Sequence, residues 1–437
     1  MNKSHLNPLE PRDWMSTLEA FGVKLQPDAR AATAITWDSR KVDEQTAFAA
    51  LSGESEHGNK YVETALEAGA PFVLTDLDVP RAVRVSDATA ALRAWARTWR
   101  LESKATIIGV TGSAGKTTAR SYIAAVLDCQ SNYYNTLNAI ACYQLSSVMP
   151  DTTHVLELGI DRIGEMDELV ALTVPDVGVI TSVGAAHLEF FGSLEQIAFE
   201  KGRILEGRTG LVAASCAGLY PGVASYGFQT GVTHHGSDLK LEETRVSFRF
   251  HNLPVSIPNP SEKVAEAALG ALALADQMKL ELADAIARVE RIEVPGARMR
   301  IEQGQNYKLI DDSYNANPLS VNASLDTLER QHGRKVVILG DMRELGETSP
   351  ELHAQIGARA GKVAALVIGV GEFAEVIADA ARGSGARSSF YPNSGVAALE
   401  IEQHLKAGDT VLVKGSLSVN MKLITDAIRT LNGEVRE

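Results

Sequence analysis

Basic residues are in short supply: 42 Lys and Arg stand against 55 Asp and Glu in 437 residues, a formal net charge of −13. An acid excess spread along the whole chain excludes a sequence-independent grip on nucleic acid or on an anionic membrane. It does not exclude a nucleotide site, where a few local donors outweigh a distant background. Cysteine is scarcer still. Cys129, Cys142 and Cys216 form no CxxC and cannot all pair, which excludes a disulfide framework and a cysteine zinc site and fits a reducing compartment. The start of the chain lacks the apolar core of a signal peptide, and no apolar run reaches the length of about 18 residues that a membrane span needs. Repeats at periods of about 20–50 residues and low-complexity tracts are also missing. These absences predict a soluble cytoplasmic protein with no nucleic-acid partner and no membrane insertion.

What is present is an ordinary globular composition, 45% apolar and 22% charged. At roughly 150 residues per domain the length predicts two or three domains. Three blocks emerge from rhythm. Residues 1–103 read as a small mixed domain with short alternating stretches at 46–51 and 71–75. Block 104–296 alternates apolar runs (105–110, 153–158, 177–181) with helical spacing (from 116, 193–205, 261–279), which predicts a parallel sheet covered on both faces. Pro295–Gly296 reads as a hinge. Block 297–437 repeats the α/β rhythm, with strands expected at 308–311, 335–340, 364–369 and 410–414, as in an open doubly wound domain. Its Gly369-Val-Gly-Glu-Phe-Ala374 stretch mimics a dinucleotide fingerprint, but no acidic residue follows at the spacing that would hold a ribose. A plain tight strand-to-helix turn explains it better.

The strongest chemical signal is Gly109-Val-Thr-Gly-Ser-Ala-Gly-Lys-Thr-Thr118, between a buried strand and a helix. Glycines let the backbone curl so that N–H groups of Gly112, Ser113, Ala114, Gly115 and the helix N-terminus point at phosphate oxygens. Lys116 reaches the β/γ-phosphates, the Thr117 hydroxyl suits Mg²⁺, and Thr118 follows in the first turn. Val110 stands where the standard spacing has glycine, so the motif is a variant form. Glu157 ends an apolar strand, where a carboxylate projects over the sheet edge; on residue type alone it is as readily a capping or salt-bridging acid. A lone His187 is more often a satisfied loop residue than a ligand. Lys201 on an amphipathic helix is normally a solvated surface group.

Thr111-Gly-Ser-Ala-Gly-Lys-Thr117 resembles the ATP loop of the Mur ligases, ATP-dependent amide-forming enzymes of peptidoglycan precursor synthesis. Asp311-Asp-Ser-Tyr-Asn-Ala-Asn-Pro318 and Gly340-Asp-Met-Arg-Glu-Leu-Gly346, with His353 following, resemble the branch that adds D-alanyl-D-alanine to UDP-N-acetylmuramoyl-tripeptide. The resemblance implies a three-domain α/β architecture: an N-terminal UDP-substrate domain (1–103), a central ATPase domain (104–296) and a C-terminal Rossmann-like domain (297–437). It implies an acyl-phosphate mechanism in a monomeric enzyme that uses ATP and two Mg²⁺ ions. It assigns Thr117, Glu157, His187 and Lys201 to metal, Lys201 as a carbamate, because carbamylation turns a cation into an anionic oxygen ligand that a hard metal prefers. It assigns Lys116 and Arg298 to the γ-phosphate, with Arg300 a rival, and Asp312 and Tyr314 to the nucleotide. Ser39, Asn135, Asn138, Asn315, Asn317 and Lys414 are the substrate contacts it implies.

The chain departs from that pattern at Ala139, Ala141, Tyr143, Glu262, Lys263, Glu266 and Leu417. Two other functions compete with the implied one: a divergent ligase of the same type acting on another carboxylate and amine, and a phosphate-loop NTPase or small-molecule kinase.

Overall fold

A computed structural model describes residues 7–53, 56–185, 188–293 and 296–433. Among them no helix is long and apolar enough to cross a membrane. The chain divides into two compact units, one made of 1–111, 128–179 and 202–210, the other of 112–127, 180–201 and 211–437.

In the first unit, β1 (Lys24–Leu25), β2 (Ala34–Thr36), β3 (Thr46–Ala49), β4 (Val73–Thr75) and β5 (Ala82–Arg84) form a sheet of order β1-β5-β4-β3-β2. Only β1 runs antiparallel. The alternation read at 46–51 and 71–75 is not realised. Ala47, Phe48, Ala49, Val73 and Leu74 are all fully buried, because central parallel strands are covered on both faces. Helix Ala88–Ser103 is capped by Asp87, which accepts from the Ala90 N–H. Its Trp95 stacks on Phe72, and its Trp99 meets Trp14 edge-on and donates to the Val148 carbonyl. These aromatics bind the helix to both the small sheet and the following layer, where β6 (Thr106–Thr111), β7 (Gln130–Ser131), β8 (Thr153–Glu157) and β9 (Val177–Ile180) lie in the order β9-β6-β8-β7. The apolar runs at 105–110, 153–158 and 177–181 thus become strands within a residue or two of their expected ends.

In the second unit, β10 (Thr209–Ala213), β11 (Ala224–Gly227) and β12 (His234–Leu241) are parallel, but β13 (Val246–Phe250) and β14 (Leu253–Ile257) turn the sheet antiparallel. The expected parallel sheet is thus present from β10 to β12, and an antiparallel hairpin extends it at one edge. The physical reason is local: His251 and Asn252 both take positive φ (46° and 64°), which closes a two-residue hairpin and leaves no room for a crossover helix. Helix Glu262–Gln277 is buried along most of its length and packs on helix Lys116–Leu127.

The C-terminal sheet comprises β15 (Arg300–Gln303), β16 (Tyr307–Asp312), β17 (Lys335–Gly340), β18 (Leu366–Val370), β19 (Arg387–Tyr391) and β20 (Asp409–Lys414). Its order is β15-β16-β20-β17-β18-β19, parallel except for β15. Val337, Leu339, Val367 and Leu412 enter one apolar layer with helices Pro318–Glu329, Ser349–Val363 and Ala374–Gly383. Val336, Ile338, Ile368, Val411 and Val413 enter the other, with helix Lys422–Leu431. Successive residues of one strand serve opposite layers, which is why these strands read as continuous apolar runs. The doubly wound expectation holds.

Candidate functional site

The phosphate loop runs from the end of β6 at Thr111 to the helix that starts at Lys116. Two glycines make it possible. Gly112 has φ 155° and a Cβ there would lie 2.1 Å from Thr181 Oγ1; Gly115 has φ 81°. The loop is pinned from the segment after β9. The Ser113 N–H donates to the Ser182 carbonyl (3.0 Å), and the Ser113 hydroxyl donates to Gly184 O and accepts from Gly184 N–H. The Ala114 N–H donates to Ser182 Oγ, while the Thr181 and Ser182 hydroxyls both donate to the Ala114 carbonyl. Lys116 Nζ folds back onto Gly112 O at 2.8 Å. Thr117 and Thr118 occupy the first turn of the helix, half-buried. Thr181 and Ser182 therefore set the loop's shape, a role not read from the sequence; two hydroxyl residues directly after a buried strand were the available signal.

Asn317 joins the same loop. It caps helix Pro318–Glu329, its side-chain oxygen accepting from Ser320 N–H while its amide nitrogen donates to Ser113 O at 2.9 Å. Asp312 is buried with both oxygens engaged: Oδ1 accepts from Met299 N–H, and Oδ2 from Ser324 Oγ and from Lys414 Nζ at 2.5 Å. Lys414, 2% exposed, also donates to Asn315 O. A buried ion pair of this kind holds because every member is satisfied; loss of one partner strands a charge. The Arg298 guanidinium lies 3.7 Å from the centre of the Tyr314 ring, a cation–π contact that orients it. Its rival Arg300 is exposed and instead pairs with Glu302 along β15.

Lys201 is 2% exposed, in helix Leu194–Gly202 beside the equally buried Glu200. The ordinary expectation of a solvated lysine fails here. His187 lies outside the described residues, as does Pro295 of the expected hinge.

In the first unit Glu157 is buried at the end of β8. Asn132 clamps its backbone, donating to Glu157 O and accepting from Glu157 N–H, and the Asn135 amide reaches Glu157 Oε1 at 3.3 Å. Gly159 leaves room for that amide, since a Cβ would lie 2.6 Å from Asn135 Nδ2. Asn138 is held by Arg93, which donates to its side-chain oxygen. Ser39 opens a short turn in which the Asp38 carboxylate accepts from the Arg40 backbone and guanidinium. That contact, outweighing partial desolvation, holds Asp38 below the usual carboxylate range. Trp37, Tyr133 and Tyr134 form an exposed aromatic cluster nearby, with Lys41 over the Tyr134 ring.

The fingerprint-like turn at 369–374 already holds an anion, and it is the protein's own. Asp341 accepts from the N–H groups of Glu372 and Phe373, both at 2.9 Å, and a Cβ on Gly371 (φ 113°) would lie 2.3 Å from Asp341 Oδ2. His353 completes the knot, accepting from Met342 N–H and stacking on Phe373. Burial pushes the His353 pKa down, in keeping with a neutral ring that donates from Nδ1 to Ser349 O. Among the departures, Lys263 and Glu266 pair with each other at 2.6 Å, and Leu417 stands exposed.

Residues 110–275 match the Mur ligase middle domain and residues 297–417 the Mur ligase glutamate ligase domain. The chain is 32% identical over 354 residues to a UDP-N-acetylmuramoyl-tripeptide--D-alanyl-D-alanine ligase of Bacillus subtilis, covering 74% of this chain and 76% of that one. It is 31% identical to the Escherichia coli protein of the same name, covering 91% of this chain and 93% of that one. Its fold superposes on a crystal structure of a MurF ligase from Thermotoga maritima in complex with ADP, with TM-score 0.80 and 23% identity, over 91% of this chain and 97% of that one.

Proposed function

The chain belongs to the Mur ligase family, and on that premise we propose that it joins D-alanyl-D-alanine to UDP-N-acetylmuramoyl-tripeptide with conversion of ATP to ADP and phosphate. The observation that carries this reading is Lys201, a lysine buried to 2% exposure in a chain that also builds a glycine phosphate loop. An ordinary phosphate-loop NTPase has no use for such a lysine; a ligase that needs an additional anionic oxygen does.

The reaction has two steps. An oxygen of the tripeptide carboxylate attacks the γ-phosphorus, breaking its bond to ADP and giving an acyl phosphate. The amine of D-alanyl-D-alanine then attacks the acyl carbon, loses a proton, and phosphate leaves. The protein's share is positioning and charge neutralisation. The N–H groups of Gly115 and Lys116 at the helix start and the Lys116 ammonium hold the ATP phosphates, while Ser182 engages the N–H groups of Ser113 and Ala114 and fixes the loop. Arg298, steered by Tyr314, neutralises charge on the transferring group. The Asp312–Lys414 pair holds the segment carrying Tyr314, Asn315 and Asn317 for the nucleotide and amine, and Ser39, Asn135 and Asn138 serve the UDP-linked substrate.

The donors Thr117, Glu157 and carbamylated Lys201 are oxygens, which suit a hard cation, and we assign them, with His187, to two Mg²⁺ ions. Bound there, Mg²⁺ supplies charge neutralisation at the phosphates. The domain limits 1–103, 104–296 and 297–437 divide these tasks among UDP-substrate, ATP and amine binding, in a cytoplasmic monomer.

Lys201→Ala tests the carbamate. ADP release in the presence of both substrates is expected to fall at least a hundredfold and to recover in part with added short carboxylates, while UDP-N-acetylmuramoyl-tripeptide still binds. Undiminished turnover in Lys201→Ala, without rescue, contradicts the assignment.

A further inference from the structure

Outside the ATP and substrate residues, three side chains from three elements of the second unit meet at one point. His234 opens β12, His251 sits in the β13–β14 turn, and Asp276 lies in the last turn of helix Glu262–Gln277. His234 Nδ1 is 3.2 Å and His251 Nε2 3.1 Å from the same oxygen, Asp276 Oδ2, and all three donor atoms lie within 4.8 Å of one another. We propose that His234, His251 and Asp276 form a binding site for one borderline divalent cation, of the class of Zn²⁺, Co²⁺ or Ni²⁺, which ties the hairpin to the helix.

The donor set argues for that class of ion. Two imidazole nitrogens and one carboxylate oxygen suit Zn²⁺, Co²⁺ and Ni²⁺ and are poorly matched to Mg²⁺, which prefers oxygen. The spacing fits as well. With metal–ligand bonds of about 2.1 Å, neighbouring ligands stand about 3.0 Å apart in an octahedron and about 3.4 Å apart in a tetrahedron; the observed 3.1 and 3.2 Å fall between.

Both rings are positioned before any ion arrives. His251 lies edge-on to the buried Phe250 ring at 4.5 Å, and His234 packs against the same ring at 6.5 Å. The positive φ of His251 belongs to the turn. Gln277 Nε2 lies 3.3 Å from His234 Nε2, while the buried Gln277 Oε1 has no hydrogen-bond partner, so the two amide atoms are better exchanged. With its oxygen turned to that nitrogen it accepts the Nε2 proton and leaves the Nδ1 lone pair for the metal, the orientation that supporting residues commonly impose on metal-binding histidines. The exposed side of His251 leaves the remaining coordination positions to water.

The test uses the full chain, free of any histidine tag, stripped of metal and kept in excess Mg²⁺ so that the magnesium sites are filled. Zn²⁺ is titrated calorimetrically and the thermal midpoint is followed. The probe variant is His251→Asn, which removes the imidazole but keeps a residue suited to positive φ; Asp276→Asn provides a second, independent loss of a ligand. The expected result is one more equivalent of bound Zn²⁺ in the parent chain than in either variant, or binding at least tenfold tighter, with a Zn²⁺-induced rise in midpoint that both variants lose. Equal stoichiometry, affinity and midpoint shift in all three chains would overturn the site and leave a hydrogen-bonded trio.

Discussion

Gly112 and Lys201 show how much of a site a single position can decide. Gly112 has no space for a side chain, since a Cβ would lie 2.1 Å from Thr181 Oγ1 and 3.0 Å from Ser182 N. Gly112→Ala is therefore expected to displace the loop donors and cut ATP-dependent turnover on the order of a hundredfold, about 3 kcal/mol of transition-state stabilisation. The double variant Gly112→Ala/Thr181→Ala should regain part of that loss, because the closest obstacle is gone. Steady-state ADP release on the three proteins checks both.

His154 makes a second prediction at this scale. It is buried between the Tyr143 hydroxyl at Nδ1 and the Thr152 hydroxyl at Nε2, and burial lowers its pKa to about 4. A folded pKa below the unfolded value means that the unfolded chain binds the proton more readily, so stability rises with pH in that window. The His154 contribution is complete above about pH 6.5 and is lost as pH falls through about 4. Its size is of order 3 kcal/mol, at about 1.4 kcal/mol per unit. Urea unfolding midpoints measured from pH 7 to pH 4 should fall less steeply in His154→Gln than in the parent chain. Parallel curves would remove His154 from the account.

At the scale of elements, the sequence was most informative where one strand and its flanks determine the outcome. The apolar runs of β6, β8, β17, β18 and β20 were legible because both faces of each strand are buried, and the phosphate loop because its glycines and lysine stand at fixed spacing. Less legible were features set by distant partners. The hairpin strands β12–β14 alternate with one face exposed, a weaker signal, and their turn carries His251-Asn252 in place of a glycine pair. The burial of Lys201 and the Asp312–Lys414 pair, 102 residues apart in sequence, exist only after folding. The turn at 369–374 shows the same limit from the other side. Its glycines make an anion cradle, and the anion is Asp341, from a different strand end. Asp341→Ala removes a carboxylate that two backbone N–H groups and the fit of Gly371 depend on. It should destabilise the C-terminal sheet by about 2–3 kcal/mol, measured by denaturant unfolding.

At the scale of the whole molecule, the acid excess returns with a different meaning. On the proposed function, a chain of net charge −13 would bind an anionic nucleotide by concentrating local donors: the helix start at Gly115 and Lys116, the Lys116 ammonium and Arg298. Nothing in the global charge opposes that, because screening over about 8–10 Å confines distant charges to their own neighbourhood. The central claim is that ATP is spent on activating a carboxylate rather than on simple hydrolysis. The most direct measurement places ¹⁸O in the carboxylate of UDP-N-acetylmuramoyl-tripeptide and follows it during turnover with ATP and D-alanyl-D-alanine. An acyl-phosphate route predicts one ¹⁸O carried into phosphate for each amide formed, with ADP release requiring both substrates. Phosphate that draws its new oxygen from solvent water, released at a rate indifferent to the amine, would contradict it.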